Sequence, residues 1–194
     1  MSFTTGSNGD STLWGSMNEE LEALAARTLK DNSEMPELLH AIRPLVQRRV
    51  AKFLPHREDA EEAVQDTLLQ VANKLHTFKG TGSFAGWVTI IATNQARQTY
   101  RSLKRRSVEQ TSEYLPEAAD PRTTSVIAGS RLDLLEALEH LESSHPQLVQ
   151  PLVLRDLGAL TYAEIADELD VPLGTVKARI HQARKAVAER LTVR

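Results

Sequence analysis

An all-α fold is predicted: two small helical domains joined by a flexible linker, the C-terminal one containing a helix-turn-helix. Three observations point to it. Apolar residues recur at steps of three and four through most of the chain, the period of a helix buried along one face. Aromatic residues make up only 5% of the sequence while Ala and Leu abound, which favours small helical units over a sandwich or barrel. Residues 107–130, with Pro116 and Pro121, lose that period and read as a linker that divides a chain of 194 residues in two.

Residues 1–16 are rich in Ser, Thr and Gly, lack the basic-then-apolar order of a signal peptide, and read as a disordered lead-in. The first domain is predicted over 17–106. Residues 17–30 form a short amphipathic helix. Residues 37–53 place Leu38, Ile42, Leu45, Val46 and Val50 on one face, with Pro44 inside the pattern expected to kink or split it and Pro55 ending it. Residues 59–75 align Ala60, Ala63, Val64, Thr67, Leu68, Val71, Ala72 and Leu75, and Glu58, Asp59, Glu61 and Glu62 crowd a first turn whose dipole favours anions. A Gly-bearing loop follows at 78–83. Ser83 is placed to cap a long helix over 84–106 whose core face is Phe84, Trp87, Val88, Ile91, Ala92, Ala96 and Thr99.

The second domain is predicted over 131–194. Its first helix, 131–141, carries Leu132, Leu135, Leu138 and Leu141, and a short helix at 148–157 follows Pro146. Thr161 with Glu164 three residues on is a capping-box pattern that opens a helix over 161–169. Asp170-Val171-Pro172 makes a tight turn into a last helix over 173–191. Two helices so joined, the second one basic, match a helix-turn-helix. Val176, Ile180, Ala183, Val187 and Leu191 fall on one face, expected to bury against Ala163, Ile165, Ala166 and Leu169. Lys177, His181 and Lys185, with Arg184 beside them, fall on another face, free to meet phosphates and base edges, or a protein partner.

The net charge of −3 hides a segregation. Arg97, Arg101, Lys104, Arg105 and Arg106 give +5 over 97–106, and six cations less Glu189 give +5 over 171–194. Between them, 107–130 is −3, and 131–170 is −7, with nine acids against Arg131 and Arg155. Such blocks suggest two anion-binding surfaces; two solvated helix ends would have the same composition. Along 84–106, Phe84, Trp87 and Tyr100 are interleaved with Asn94, Gln95, Arg97, Gln98 and Arg101. That pattern suits stacking of unpaired bases over a cationic track. Phe84 and Trp87 would equally fill a core.

Nothing in the sequence supports catalysis. There is no Gly-rich phosphate loop, no His/Asp/Glu metal cluster, no defensible nucleophile constellation, and no cofactor motif. No cysteine is present, so disulfides and thiolate sites are excluded and a cytoplasmic setting is expected. No apolar run approaches a membrane span of roughly 18 residues, so no membrane insertion is expected.

Two stretches carry a family resemblance. DAEEAVQDTLLQVANKLHTFKGTGSFAGWVTIIATNQARQTYRSLKRR (59–106) resembles region 2 of the extracytoplasmic-function (ECF) subfamily of bacterial sigma factors. LVLRDLGALTYAEIADELDVPLGTVKARIHQARKAV (152–187) resembles the subfamily's region 4. The resemblance implies a transcription-initiation factor that binds RNA polymerase core, recognises promoters and melts DNA. Glu61, Glu62, Gln65, Asp66 and Leu69 would dock on the β′ coiled coil, and the second domain would meet the β flap. Lys79, Ser83, Phe84, Trp87 and Asn94 would capture −10 bases, and Arg97, Arg101, Arg105 and Arg106 would hold strand phosphates. Thr175, Lys177, Ala178, Arg179, His181, Gln182, Arg184 and Lys185 would lie in or near the −35 major groove. An anti-sigma protein is a further implied partner. The chain departs from the family pattern at Ile90 and Thr93, where Arg is usual, at Gln98, where Asp is common, at Ala178 and Gln182, where Ser and Arg are frequent, and at His145-Pro146-Gln147. An HTH regulator that binds a palindrome as a dimer, and an adaptor using its basic helices on protein, are the rival classes.

Overall fold

A computed structural model describes residues 9–80, 82–111 and 126–192, with side chains placed over 18–80, 82–107 and 133–191. Among the described residues there is no strand. Eight α-helices are defined among them: α1 (Gly9–Thr28), α2 (Met35–Val50), α3 (Arg57–Lys74), α4 (Phe84–Thr111), α5 (Val126–Ser144), α6 (Pro146–Leu152), α7 (Tyr162–Leu169) and α8 (Leu173–Thr192). Residues 112–125 of the predicted linker lie outside the described residues, as do residues 1–8 of the predicted lead-in. The lead-in read over 1–16 is corrected in one respect: α1 begins at Gly9. The linker narrows likewise, since α4 continues to Thr111 and α5 starts at Val126.

The first unit is built on α2, whose Leu38, Ile42, Val46 and Val50 are all fully buried, one per turn. They face Ala63, Val64, Thr67, Leu68 and Val71 of α3 and Phe84, Val88, Ile91, Ala92 and Ala96 of α4. Pro44 does not split α2, which runs unbroken through it. The ring and His40, whose carbonyl loses its donor, are both exposed, so water can serve that carbonyl. α1 closes the unit with Leu21, Leu24 and Ala25. The start of α4 is doubly capped. Ser83 Oγ accepts from Gly86 N at 3.0 Å, and a Glu22 carboxylate oxygen reaches across from α1 to accept from Phe84 N.

In the second unit α5, α6 and α8 pack together, with α7 laid against α8. The helix predicted over 148–157 starts earlier, at Pro146, and widens after Leu152 into a π turn over Val153–Leu157, closed by Gly158 N donating to Val153 O at 2.9 Å. Glycine is required at 158, because a Cβ there would lie 2.5 Å from the Leu154 carbonyl oxygen. The capping box forms as predicted. Thr161 Oγ1 accepts from Glu164 N at 3.2 Å while Glu164 Oε2 accepts from Thr161 N at 2.8 Å. Asp170 then turns the chain in the left-handed region at φ 50°, and α8 follows. Ile165, Val176 and Ile180 form the seat between α7 and α8, each at most 1% exposed. Ala163, expected in that seat, is exposed instead, and Ala166 and Leu169 are half-buried.

Two substitutions test this construction by chemical denaturation. Ile165→Ala empties a fully enclosed site and costs about 3 kcal/mol. Thr161→Ala removes the cap and costs ~1 kcal/mol.

Candidate nucleic-acid interface

α8 presents two faces. Val176, Ile180, Ala183 and Val187 are buried against the second unit. Lys177, Ala178, His181, Gln182, Arg184 and Lys185 are exposed on the other side, and Thr175 and Arg179 are half-buried at its edge. The sequence-predicted −35 set therefore lies along the outward side of α8, and its cations differ in state: Lys185 makes only a loose pair with Glu189 one turn on, at 4.0 Å. Arg184 is held by Asp156 of the π turn in a two-pronged pair, Nε to Oδ2 at 3.0 Å and Nη2 to Oδ1 at 2.5 Å. That hydrogen bonding raises the Arg184 pKa above its ordinary value. Lys177 Nζ lies 5.9 Å from the Tyr162 ring, whose centroid also takes the Arg155 guanidinium at 4.6 Å.

The α3 set, Glu61, Glu62, Gln65, Asp66 and Leu69, is exposed throughout. Leu69 is 61% exposed among carboxylates, an apolar contact with nothing covering it. Asp66 Oδ2 accepts from Gln95 Nε2 at 3.0 Å and Glu61 Oε1 from Arg57 Nε at 3.0 Å, so two of the acids are braced.

The α4 set divides. Phe84 is corrected as a base-stacking residue: its ring is fully buried, 5.3 Å from Phe78 and 5.7 Å from Trp87 between centroids. Trp87 is half-buried on that cluster, and Lys79 and Asn94 are exposed. Ser83, Asn94, Arg97 and Arg101 all touch the second unit. Ser83 Oγ donates to Glu164 Oε1 at 2.5 Å, Asn94 Oδ1 accepts from Gln150 at 3.1 Å, and Arg97 reaches Gln150 and Glu142 at 3.3 Å each. Arg101 pairs with Glu142 and Lys104 with Glu139. Arg105 and Arg106 are exposed. Arg97 is only 14% exposed; its desolvation, followed by the charge of Arg101, pushes its pKa down to about 10. The hydrogen bond from Lys104 to Glu139 raises the Lys104 pKa. Glu139, Glu142, Gln150 and the second role of Glu164 were not foreseen from sequence; the acid excess over 131–170 was the one signal of them.

The family model for Sigma-70 region 2 matches residues 38–106, and that for Sigma-70, region 4 matches residues 131–187. The chain belongs to the ECF family of RNA polymerase sigma factors. It is 33% identical over 172 residues to the ECF RNA polymerase sigma factor SigE of Mycolicibacterium smegmatis, a match spanning 83% of this chain and 64% of that protein. It is 28% identical over 189 residues to the ECF RNA polymerase sigma-E factor of Escherichia coli K12, spanning 88% and 95%. The solved structure of CnrH in complex with the cytosolic domain of CnrY shares the fold, with a TM-score of 0.54, 18% identity and coverage of 88% and 96%. The first unit is thus region 2 and the second region 4. Two of the three departures from the ECF pattern on α4 have a structural correlate: Ile90 is 8% exposed and joins the apolar cluster of Leu154, Leu160, Ile165, Val176 and Ile180, and Thr93 is fully buried.

Among the described residues, no group of His, Asp or Glu is placed to hold a metal ion, and no helix is long and apolar enough to cross a membrane.

Glu164 provides a pH test of the region 2–region 4 contact. Burial raises its pKa, but hydrogen bonds from Ser83 and Thr161 outweigh that and leave it below the ordinary 4.5. Its stabilising contribution is complete above that value and is lost as pH falls through the depressed folded pKa. Ser83→Ala removes one of those bonds, so the Glu164 carboxyl titrates at higher pH in the variant. Carboxyl-detected NMR titration reads the shift directly.

Proposed function

We propose that this ECF factor binds RNA polymerase core and directs it to promoters, reading −35 DNA with α8 and engaging the −10 element with α4 and the loop before it. The observation that carries the reading is α8 itself: one face is locked into region 4 by Val176, Ile180, Ala183 and Val187, and the opposite face offers Lys177, Ala178, His181, Gln182 and Lys185 to solvent. A helix so seated enters a major groove as a rigid body. Lys177 and Lys185 would release counterions from phosphates, and His181 and Gln182 would meet base edges. Arg184 serves first to anchor α8 to Asp156.

In region 2, Trp87 at the edge of its aromatic cluster and the exposed Lys79 flank the loop proposed to take −10 bases. Arg97, Arg101, Arg105 and Arg106 line the path for strand phosphates. The exposed Leu69 with Glu61, Glu62, Gln65 and Asp66 suits a basic amphipathic partner helix, the β′ coiled coil. An apolar groove of about 170 Å³ between α5, the π turn and α8, lined by Leu134, Leu138, Leu152, Leu157, Val187 and Leu191, suits the β flap or an anti-sigma protein. The work is binding without chemistry by this chain, in the cytoplasm. Two weak DNA-binding surfaces tethered to one polymerase gain from each other's effective concentration.

In vitro transcription with purified core polymerase on genomic fragments tests the reading. Specific transcripts appear only when this chain is added; their absence overturns it, and palindromic binding without polymerase supports an ordinary regulator instead. Lys177→Ala leaves region 4 folded, weakens promoter use, and lowers the slope of log affinity against log salt by roughly one unit.

A further inference from the structure

Two of the four α4 cations proposed for the promoter strand, Arg97 and Arg101, already have partners, as does Lys104 beside them, and those partners belong to region 4; Arg105 and Arg106 stay exposed. Arg97 and Arg101 share Glu142, and Lys104 holds Glu139, both acids of α5. We infer that the free factor is shut by an internal latch in which α5 stands in for nucleic acid, so that region 4 competes with the promoter strand for region 2. The inference rests on the proposed use of α4 for strand phosphates.

Three kinds of contact make the latch. The ionic part places two carboxylates where phosphates would lie. The polar part ties both ends of the join. Asn94 and Arg97 take Gln150 on α6, Ser83 takes Glu164 on α7, and Lys52 Nζ donates to the Leu157 carbonyl at 2.8 Å. The apolar part includes Ile90, the single region 2 side chain in the buried cluster that seats α7 against α8, and the larger buried cluster, which runs on from region 2 into Leu135, Leu138 and Val153 of region 4. Contacts this spread hold one arrangement although each partly exposed ion pair is weak by itself.

Geometry requires the arrangement to open. By their names, the −35 and −10 elements are separated by about 25 base pairs, roughly 85 Å of duplex at 3.4 Å per pair. A chain whose Glu164 touches Ser83 and whose Glu142 touches Arg97 cannot lay α8 and α4 on both. Opening frees Arg97, Arg101 and Lys104 together. Strand binding therefore opens the latch, and opening the latch favours strand binding by the same factor.

The chain has no cysteine, so Asn73→Cys on α3 and Arg190→Cys on α8, both exposed, accept a dye pair without interference. Energy transfer in the free full-length protein reads the distance between regions. Anisotropy of a labelled short single-stranded oligodeoxynucleotide reads strand affinity. Glu139→Gln with Glu142→Gln is expected to lower transfer and tighten strand binding at least about tenfold over a charge-matched control, Glu37→Gln with Glu58→Gln. The oligonucleotide added in excess to the otherwise unaltered labelled chain is expected to lower transfer as well, a reading that needs no latch variant. Unchanged transfer in both experiments, with affinity no tighter than the control, overturns the latch. A fall in transfer in the double variant, with no strand binding by any form at low salt, overturns instead the assignment of α4 to nucleic acid, and the competition with it.

Discussion

Arg97 stands at the join of the two helical regions, and its charge has to be answered there. Only 14% of its side chain reaches solvent, and no carboxylate of its own region is bonded to it. A guanidinium so placed is costly without partners. Glu142 and Gln150 provide them, which fixes the C-terminal end of α5 and the middle of α6 against the middle of α4. The neighbouring contacts follow from that register. Arg101 shares the same carboxylate, Lys104 meets the acid one turn earlier on α5, and Asn94 meets the same glutamine. The position of the helix-turn-helix relative to region 2 is thus set by charge as well as by the apolar cluster the two regions share.

Local structure was legible in the sequence wherever a short-range rule decided it. The four-residue steps of Leu38, Ile42, Val46 and Val50 gave the buried stripe of α2, Thr161 with Glu164 gave the start of α7, and Ser83 gave the cap of α4. The outward face of α8 followed from the same periodicity. Rules of that kind could not locate Glu22 on the amide of Phe84, 62 residues away, or Glu164 on Ser83, 81 residues away. Phe84 shows the ambiguity of an aromatic in a basic stretch: composition allows stacking on a base, and only the positions of Phe78 and Trp87 settle that it fills the core. Pro44 and Ala163 mark the opposite error, where a local preference was overruled by which side faces water.

The departures at Ile90 and Thr93 gain meaning from burial. Read as missing arginines, they weaken a cationic track. In the folded chain Ile90 contributes apolar area to region 4 and Thr93 is enclosed, so a charged side chain at either place would have to be desolvated. What α4 lacks as a nucleic-acid contact there it has as a packing surface.

Glu164 does two jobs with one carboxylate. Oε2 completes the cap that starts α7, and Oε1 receives the hydroxyl of Ser83 from the other region. Chimaeras that exchange residues 131–194 between relatives to redirect promoter choice would therefore transplant more than a reading head. A donor with Thr and Glu in this spacing would bring its helix start intact. Whether it also inherited a grip on the host depends on the residue the host carries at position 83, so compatibility between halves is written partly in a side chain that lies outside the exchanged segment.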